Sequence, residues 1–489
     1  MSQHWDVIVV GAGTAGMPTA IFAAERGAKV LLLEADNKVG GALHFSGGQM
    51  AATDTRLHRE RGIDDSPEEF LEDIRRISHN THNEDLIRIV TRESGATIDW
   101  LLDLGYEVDP VCPAILIVHE PYMTKRSFWG KEQGRSLIKA LEPRVRALAA
   151  TGAIDLRFET EFVELIRAPS GAVSGVVARS KDGALTSHTG DNVVVTTGGY
   201  AANPELYERY SPGRPYYSAT NPRAQGSGLA VLAAAGAAVE GGDKVLPSYS
   251  CILDDPDDPT CKTFIGGPGD ALSAYVWLDT APQSRLPWEV HVNIKGERFV
   301  REDIASVDHR EVELRKQPEW RFFIVFDEGV RQNAPKITRT WDDERLKAAL
   351  GTHPSFLKAP SLGDLARQMK IDSAALQASI DRYNGFVRDG RDPDFGREFL
   401  PRQLTKPPYY AIRCVGMTVM SPAGIVVDTQ FRVLDSAKRP IPNLYAAGEI
   451  LGYARLGGAA FVPGMSVTPA LTFGRLLGQS LLQWRRNQA

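Results

Sequence analysis

Apolar residues open the chain as short unbroken runs. Val7–Val10 is fully apolar and stops at Gly11-x-Gly13-x-x-Gly16. Ala20, Ala23 and Ala24 then recur at helical spacing up to Gly27, and a second apolar run, Val30–Leu33, ends on Glu34. Apolar runs of this length bounded by glycine read as strands buried on both faces. The pattern therefore predicts a strand–helix–strand unit in a parallel sheet. Phe162–Ile166 and Gly175–Ala178 read as a β-hairpin layer on that sheet. The stretch Asp191–Gly199 reads as a returning buried strand that ends in the pair Gly198-Gly199. Near the C-terminus a strand from Asn443 leads to Gly448-Glu449. A helix follows, with Ala470, Leu471, Gly474, Leu477, Gly478 and Leu481 on one face. Ser466 or Thr468 can cap it, and Pro469 suits its first turn. Between about 246 and 405 aromatics, prolines and charges mix without this rhythm. The expected organisation is α/β. A Rossmann-like domain built from 1–245 and 406–489 is interrupted by an α+β capping domain over 246–405.

Composition narrows the class. The 489 residues are 43% hydrophobic and 24% charged, values of an ordinary globule, and the formal net charge of −5 disfavours non-specific nucleic-acid binding. No run of eighteen apolar residues occurs, so no membrane span is expected. The first apolar run is too short for a secretory core. Cys112, Cys251, Cys261 and Cys414 form no C-x-x-C pair, which reads as isolated thiols in a reducing compartment, hence a cytoplasmic protein. Asp254-Asp-Pro-Asp-Asp-Pro259 lacks the spacing of a calcium loop and reads as a solvated loop. Gly266-Gly267-Pro268-Gly269 lacks the strand–helix context of a second dinucleotide site. No metal site is expected.

The N-terminal unit carries chemistry. Gly11 permits a tight turn, Gly13 lets backbone approach a pyrophosphate, and Gly16 lets helix and strand pack closely. The helix N-terminus faces the phosphates with its positive end, Pro18 in its first turn needs no N–H partner, and Glu34 can accept ribose hydroxyl bonds. Six residues after Glu34 come Gly40-Gly41, then Ser46-Gly47-Gly48. This E-x5-G-G arrangement resembles flavoproteins of the glutathione-reductase-like superfamily. Thr196-Thr197-Gly198-Gly199 and Asn443-Leu-Tyr-Ala-Ala-Gly-Glu449 resemble the other two segments that close their flavin site.

With Gly198-Gly199-Tyr-Ala-Ala-Asn-Pro204, Gly226-Ser-Gly-Leu-Ala and Val292-Asn-Ile-Lys-Gly-Glu-Arg-Phe-Val-Arg-Glu302, the chain resembles the fumarate reductase/succinate dehydrogenase flavoprotein superfamily, on its 3-ketosteroid dehydrogenase-like branch. The resemblance implies non-covalent FAD, with His44 off the spacing of a covalent histidine. It implies contacts from Gly11, Gly13, Ala15, Gly16, Glu34, Ala35, Gly40 and Gly41. Ser46, Gly47, Gly48, Phe162, Thr197, Gly198, Gly448, Glu449, Ser466 and Val467 complete the implied set. It also implies a substrate between the two domains and an external electron acceptor.

Departures from the resemblance set the expected subclass. Ser306, Ser248, Met420 and Phe461 fall where fumarate reductases place substrate arginines and histidines, so a dicarboxylate clamp is not expected. Phe461-Val-Pro-Gly464 looks like the ketosteroid branch, with the Gly464 N–H as oxyanion donor. The expected substrate is a hydrophobic cyclic ketone, desaturated between Cα and Cβ. Reduction of an unsaturated carboxylic acid is the alternative, with Arg126, Arg301 or Arg455 as clamp. Tyr122 is the leading candidate base, its pKa lowered by Lys125 or Arg126. Tyr453 and His309 follow.

Overall fold

A computed structural model describes residues 4–117, 119–217, 220–253, 255, 278–339 and 341–486. Cys261, the glycine run 266–269 and all of the 254–259 acidic run except Asp255 lie outside the described residues. The strand His4–Val10 sits inside an eight-stranded sheet, flanked by Val30–Leu33 and Leu185–Val195, both parallel to it. Pro440–Ala446 extends the parallel set on one side and Ile154–Arg157 on the other. Every side chain of Val30–Leu33 is buried, as a strand covered on both faces requires. The expected hairpin forms from Thr160–Arg167 and Val173–Ser180, antiparallel, and joins the sheet through Leu185–Val195.

The helix Gly16–Glu25 crosses between the first two strands and packs against the long helix Val467–Arg486. The two backbones nearly touch. A Cβ at Gly474 would stand 2.2 Å from the Ala15 carbonyl oxygen, and one at Gly478 2.6 Å from that of Thr19. These glycines set how close the helices lie. Neither expected cap residue closes the C-terminal helix in the way foreseen. The Ser466 hydroxyl donates to the Met420 sulfur at 2.8 Å, and Thr468 Oγ1 accepts the Ala51 N–H at 2.8 Å. Thr468 thus ties the helix to the strand Met50–Ala51.

A second, five-stranded antiparallel sheet runs in the order Ser248–Cys251, Tyr409–Met417, Arg321–Asp327, Val290–Asn293, with Phe356–Ala359 also paired to Tyr409–Met417. Its strand Tyr409–Met417 lies beyond residue 405, because the apolar run Phe322–Phe326 needs a neighbour on each edge and Tyr409–Val415 supplies one. The segment Val292–Glu302 that carried the family resemblance is scaffolding here. Arg298 Nη2 bonds Glu302 Oε2 at 2.7 Å and Asp392 Oδ2 at 2.9 Å, all three side chains being buried. No described helix is long and apolar enough to cross a membrane. Cys112, Cys251 and Cys414 are free and buried.

Candidate active site

A cavity of about 1680 Å³ runs from the carboxyl ends of the parallel strands to the second sheet. Its volume exceeds the roughly 300–1,000 Å³ usual for one small ligand, so a dinucleotide and a second molecule fit together. At the strand ends it is lined by Gly11, Gly13, Ala15, Glu34, Ala35, Gly41, Ser46 and Gly47. Phe162, Thr197, Gly198, Gly448, Glu449, Ser466 and Val467 line it too. Gly16, Gly40 and Gly48 do not, and act through packing. A Cβ at Gly16 would meet the Gly11 carbonyl oxygen at 1.8 Å, one at Gly40 the Ile138 side chain at 2.6 Å, and one at Gly48 the Gly134 nitrogen at 2.6 Å.

The lining fits a dinucleotide. A Cβ at Gly13 would meet no protein atom within 4 Å. It would instead fill the space a pyrophosphate needs. Glu34 is fixed by backbone, Oε2 accepting from Ala12 N and Oε1 from Asp36 N, each at 2.8 Å. Burial raises its pKa against the pull of those two N–H groups. Glu449 Oε1 accepts from both the N–H and the hydroxyl of Ser421 at 3.1 Å, and burial raises this carboxyl's pKa too. Thr197 Oγ1 is buried without a hydrogen-bond partner on the cavity wall. The His44 ring also lines the cavity, and its Nε2 lies 2.9 Å from the Val39 carbonyl oxygen.

The other end holds the expected catalytic groups only in part. Gly464, Phe461, Pro463 and Tyr453 line it. The Tyr453 hydroxyl accepts the Val462 N–H at 2.7 Å, and burial pushes its pKa up. Tyr122 is not among the lining residues. Its hydroxyl donates to the Pro463 carbonyl at 2.5 Å. The expected lowering of its pKa is reversed: burial holds it well above the ordinary value, and Arg126 only partly offsets this. Tyr122 is thus tied to the 463 turn and does not line the cavity. His309 is exposed on the helix Val307–Arg315 and points away, while its neighbours Arg310 and Glu311 line the cavity.

The three arginines considered as a clamp are committed elsewhere. Arg126 is buried between Asp65 and Asp73, with Nε–Oδ2 of 2.7 Å to Asp65. Arg301 bonds Asp303 at 2.8 Å and Arg455 bonds Glu240 at 3.0 Å. Arg310 instead reaches the cavity, its Nη1 bonded to the Thr280 carbonyl and its buried Nε without a partner. Sequence reasoning missed Arg310, Glu311, His119 and Tyr249. Arg310 lies one helical turn beyond Ser306, so the periodicity of 307–315 was the signal available. His119 lies three residues before Tyr122, with nothing local to mark which side chain turns inward.

Residues 6–466 match the family described as FAD binding domain. The chain is 30% identical over 482 residues to fumarate reductase (cytochrome) of Shewanella frigidimarina, covering 98% of this chain and 77% of that one. It is 27% identical to vinyl phenol reductase of Lactiplantibacillus plantarum, covering 100% of this chain and 99% of the relative. The 3-ketosteroid delta1-dehydrogenase structure from Sterolibacterium denitrificans shares the fold at a TM-score of 0.76 and 21% identity, covering 99% of this chain and 100% of that one.

Proposed function

Because the chain belongs to the FAD-dependent fumarate reductase/succinate dehydrogenase flavoprotein superfamily and is an oxidoreductase acting on carbon–carbon bonds, we propose that it interconverts a largely apolar cyclic ketone and its α,β-unsaturated form. The strand-end residues would hold FAD without a covalent link, and it would supply the two-electron chemistry, with an external electron acceptor completing the desaturating direction. The observation that carries the reading is the make-up of the inner cavity wall. Phe461, Pro463, Ile252, Leu278, Ala281 and Val307 offer apolar surface to a ring. Arg126, Arg301 and Arg455, the three arginines available for a carboxylate clamp, are bonded to Asp65, Asp73, Asp303 and Glu240 instead. Two unpaired carboxylates buried against such a wall would carry a large desolvation cost. The Gly464 N–H, just before the C-terminal helix, is the donor assigned to the ketone oxygen, where enolate charge develops; losing one such donor costs roughly 3 kcal/mol of barrier.

Arg310 favours one second reading. A guanidinium with a free Nε in this wall suits a single carboxylate, so an unsaturated monocarboxylic acid is the other substrate class. The test is anaerobic. Oxidised holoenzyme is mixed with saturated cyclic ketones, and reduced holoenzyme with 2-cyclohexenone, cinnamate or fumarate. Bleaching by a ketone or reoxidation by the enone is expected, and reoxidation by cinnamate alone selects the second reading. Turnover of fumarate at about 10 per second, with no response to the others, overturns both.

A further inference from the structure

Two histidines and two buried carboxylates form a file from the protein surface to the cavity. None of them is used by the cofactor contacts or the oxygen anchors described above. His79, whose side chain is 59% exposed, lies 2.7 Å through Nε2 from Oδ2 of Asp308. Asp308 is buried, and its Oδ1 has no hydrogen-bond partner. Glu311 follows at i+3 on the helix Val307–Arg315, buried, with Oε2 also unpartnered. Side chains three apart on a helix share a face, their Cβ atoms about 5–6 Å apart. Oε1 of Glu311 lies 3.7 Å from Nδ1 of His119, a buried nitrogen with no hydrogen-bond partner. That separation is too long for a direct hydrogen bond and within reach of an ion pair. Both Glu311 and His119 line the cavity, and the His119 ring stacks on Phe461 with centroids 4.8 Å apart.

Leaving a buried polar atom unpaired costs stability, and native proteins keep few of them. Three in one file, ending at a cavity, call for a use. Glu311 faces Asp308 and Arg310 on its own helix, His119 across from it, Tyr453 on the helix Tyr453–Gly457, and Cys251 on the strand Ser248–Cys251. Burial pushes its pKa up, and Asp308 adds to this against the pull of His119 and Arg310. A carboxyl so placed keeps its proton to higher pH than an exposed one and can give it up to a neighbour.

We propose that His119 is the catalytic residue that passes a proton to and from the substrate α-carbon, and that Glu311 exchanges this proton with solvent by way of Asp308 and His79. The assignment rests on the α,β reading above. In the reducing direction Cα takes a proton from a ring N–H of His119, and Cβ takes one hydrogen with its two electrons, which bound FAD would supply. The π bond is replaced by two C–H bonds. Glu311 protonates Nδ1, the ring nitrogen that faces it, as the opposite N–H is given up, and exchange of the remaining N–H with solvent restores the starting tautomer. Desaturation reverses each transfer.

Reduced holoenzyme is mixed anaerobically with 2-cyclohexenone or cinnamate while flavin reoxidation is followed across pH, alone for the first turnover and with excess reduced viologen for the later ones. His119→Gln is expected to keep its FAD and lose about 100-fold or more in the first turnover, the size of a general acid's contribution. Asp308→Asn is expected to match wild type in the first turnover and to slow the later ones, since only reprotonation passes through it. A wild-type first turnover in His119→Gln, or an Asp308→Asn deficit already complete in the first turnover, overturns the assignment. A second arm needs no substrate. The infrared spectrum of the holoenzyme is expected to keep a protonated-carboxyl band above the pH at which ordinary carboxylates ionise, and Glu311→Gln to remove it. Without that band the relay falls. If the band is present and neither probe reacts, the cluster stands and the substrate reading falls.

Discussion

The Tyr122 hydroxyl donates to the Pro463 carbonyl at 2.5 Å, joining two segments separated by 341 positions just where the chain turns toward Gly464. The ring is held edge-on against Phe70, with centroids 5.4 Å apart. Tyr122→Phe should therefore leave the chemistry largely intact and cost about 1–3 kcal/mol of stability, because the Pro463 carbonyl loses its partner. Thermal unfolding beside flavin reoxidation rates checks this. A loss of about 100-fold in rate with unchanged stability would instead make Tyr122 a general acid–base.

Gly13 and Gly16 should respond to alanine in opposite ways. At Gly13 the new Cβ meets no protein atom within 4 Å, so Gly13→Ala should fold normally and retain FAD poorly. At Gly16 it would lie 1.8 Å from the Gly11 carbonyl oxygen, so Gly16→Ala should lose stability first. Absorbance of bound flavin after gel filtration, compared with circular dichroism melting of each variant, separates the two effects.

Arg310→Gln should weaken substrate binding and leave the flavin in place. The side chain is buried, its Nε is unpartnered, and it is stacked 5.3 Å over Tyr249 on the cavity wall. A hydrogen bond to a charged group is worth about 1.5–3 kcal/mol, or roughly 10- to 100-fold in KM. An unchanged KM for the best enone or unsaturated acid would remove Arg310 from the site.

Acid should loosen the second sheet in two stages. Burial holds the His291 pKa down at about 4, below the ordinary imidazole value of 6.5. The unfolded chain takes up that proton first, so stability from this group is complete above pH 6.5 and lost as pH falls from 6.5 to 4. Glu302 is held at about 2: burial pushes it up, but Arg298 and Arg397 outweigh burial. Its contribution is complete above pH 4.5 and lost between 4.5 and about 2. His291→Asn should flatten the fall in melting temperature between pH 6.5 and 4 and leave the lower stage in place.

The sequence by itself determined the parallel sheet core and the cofactor end of the site. Val7–Val10, Gly11-x-Gly13-x-x-Gly16 and Val30–Glu34 act through backbone conformation, a helix terminus and a carboxylate at a strand end, all settled within thirty residues of chain. Gly198 and Glu449 were legible for the same reason, each closing a strand of that sheet. Tertiary structure alone decided the substrate end. Whether His309 or its neighbours Arg310 and Glu311 face the cavity depends on the rotation of one short helix against the second sheet, and the sheet takes a strand from Tyr409–Met417. Whether Tyr122 offers its hydroxyl to substrate or to Pro463, and whether Arg126 is a clamp or the partner of Asp65 and Asp73, depends on contacts between distant segments. A side chain's chemistry is written in its residue type, but the direction in which it is spent is fixed by whichever surface packs against it.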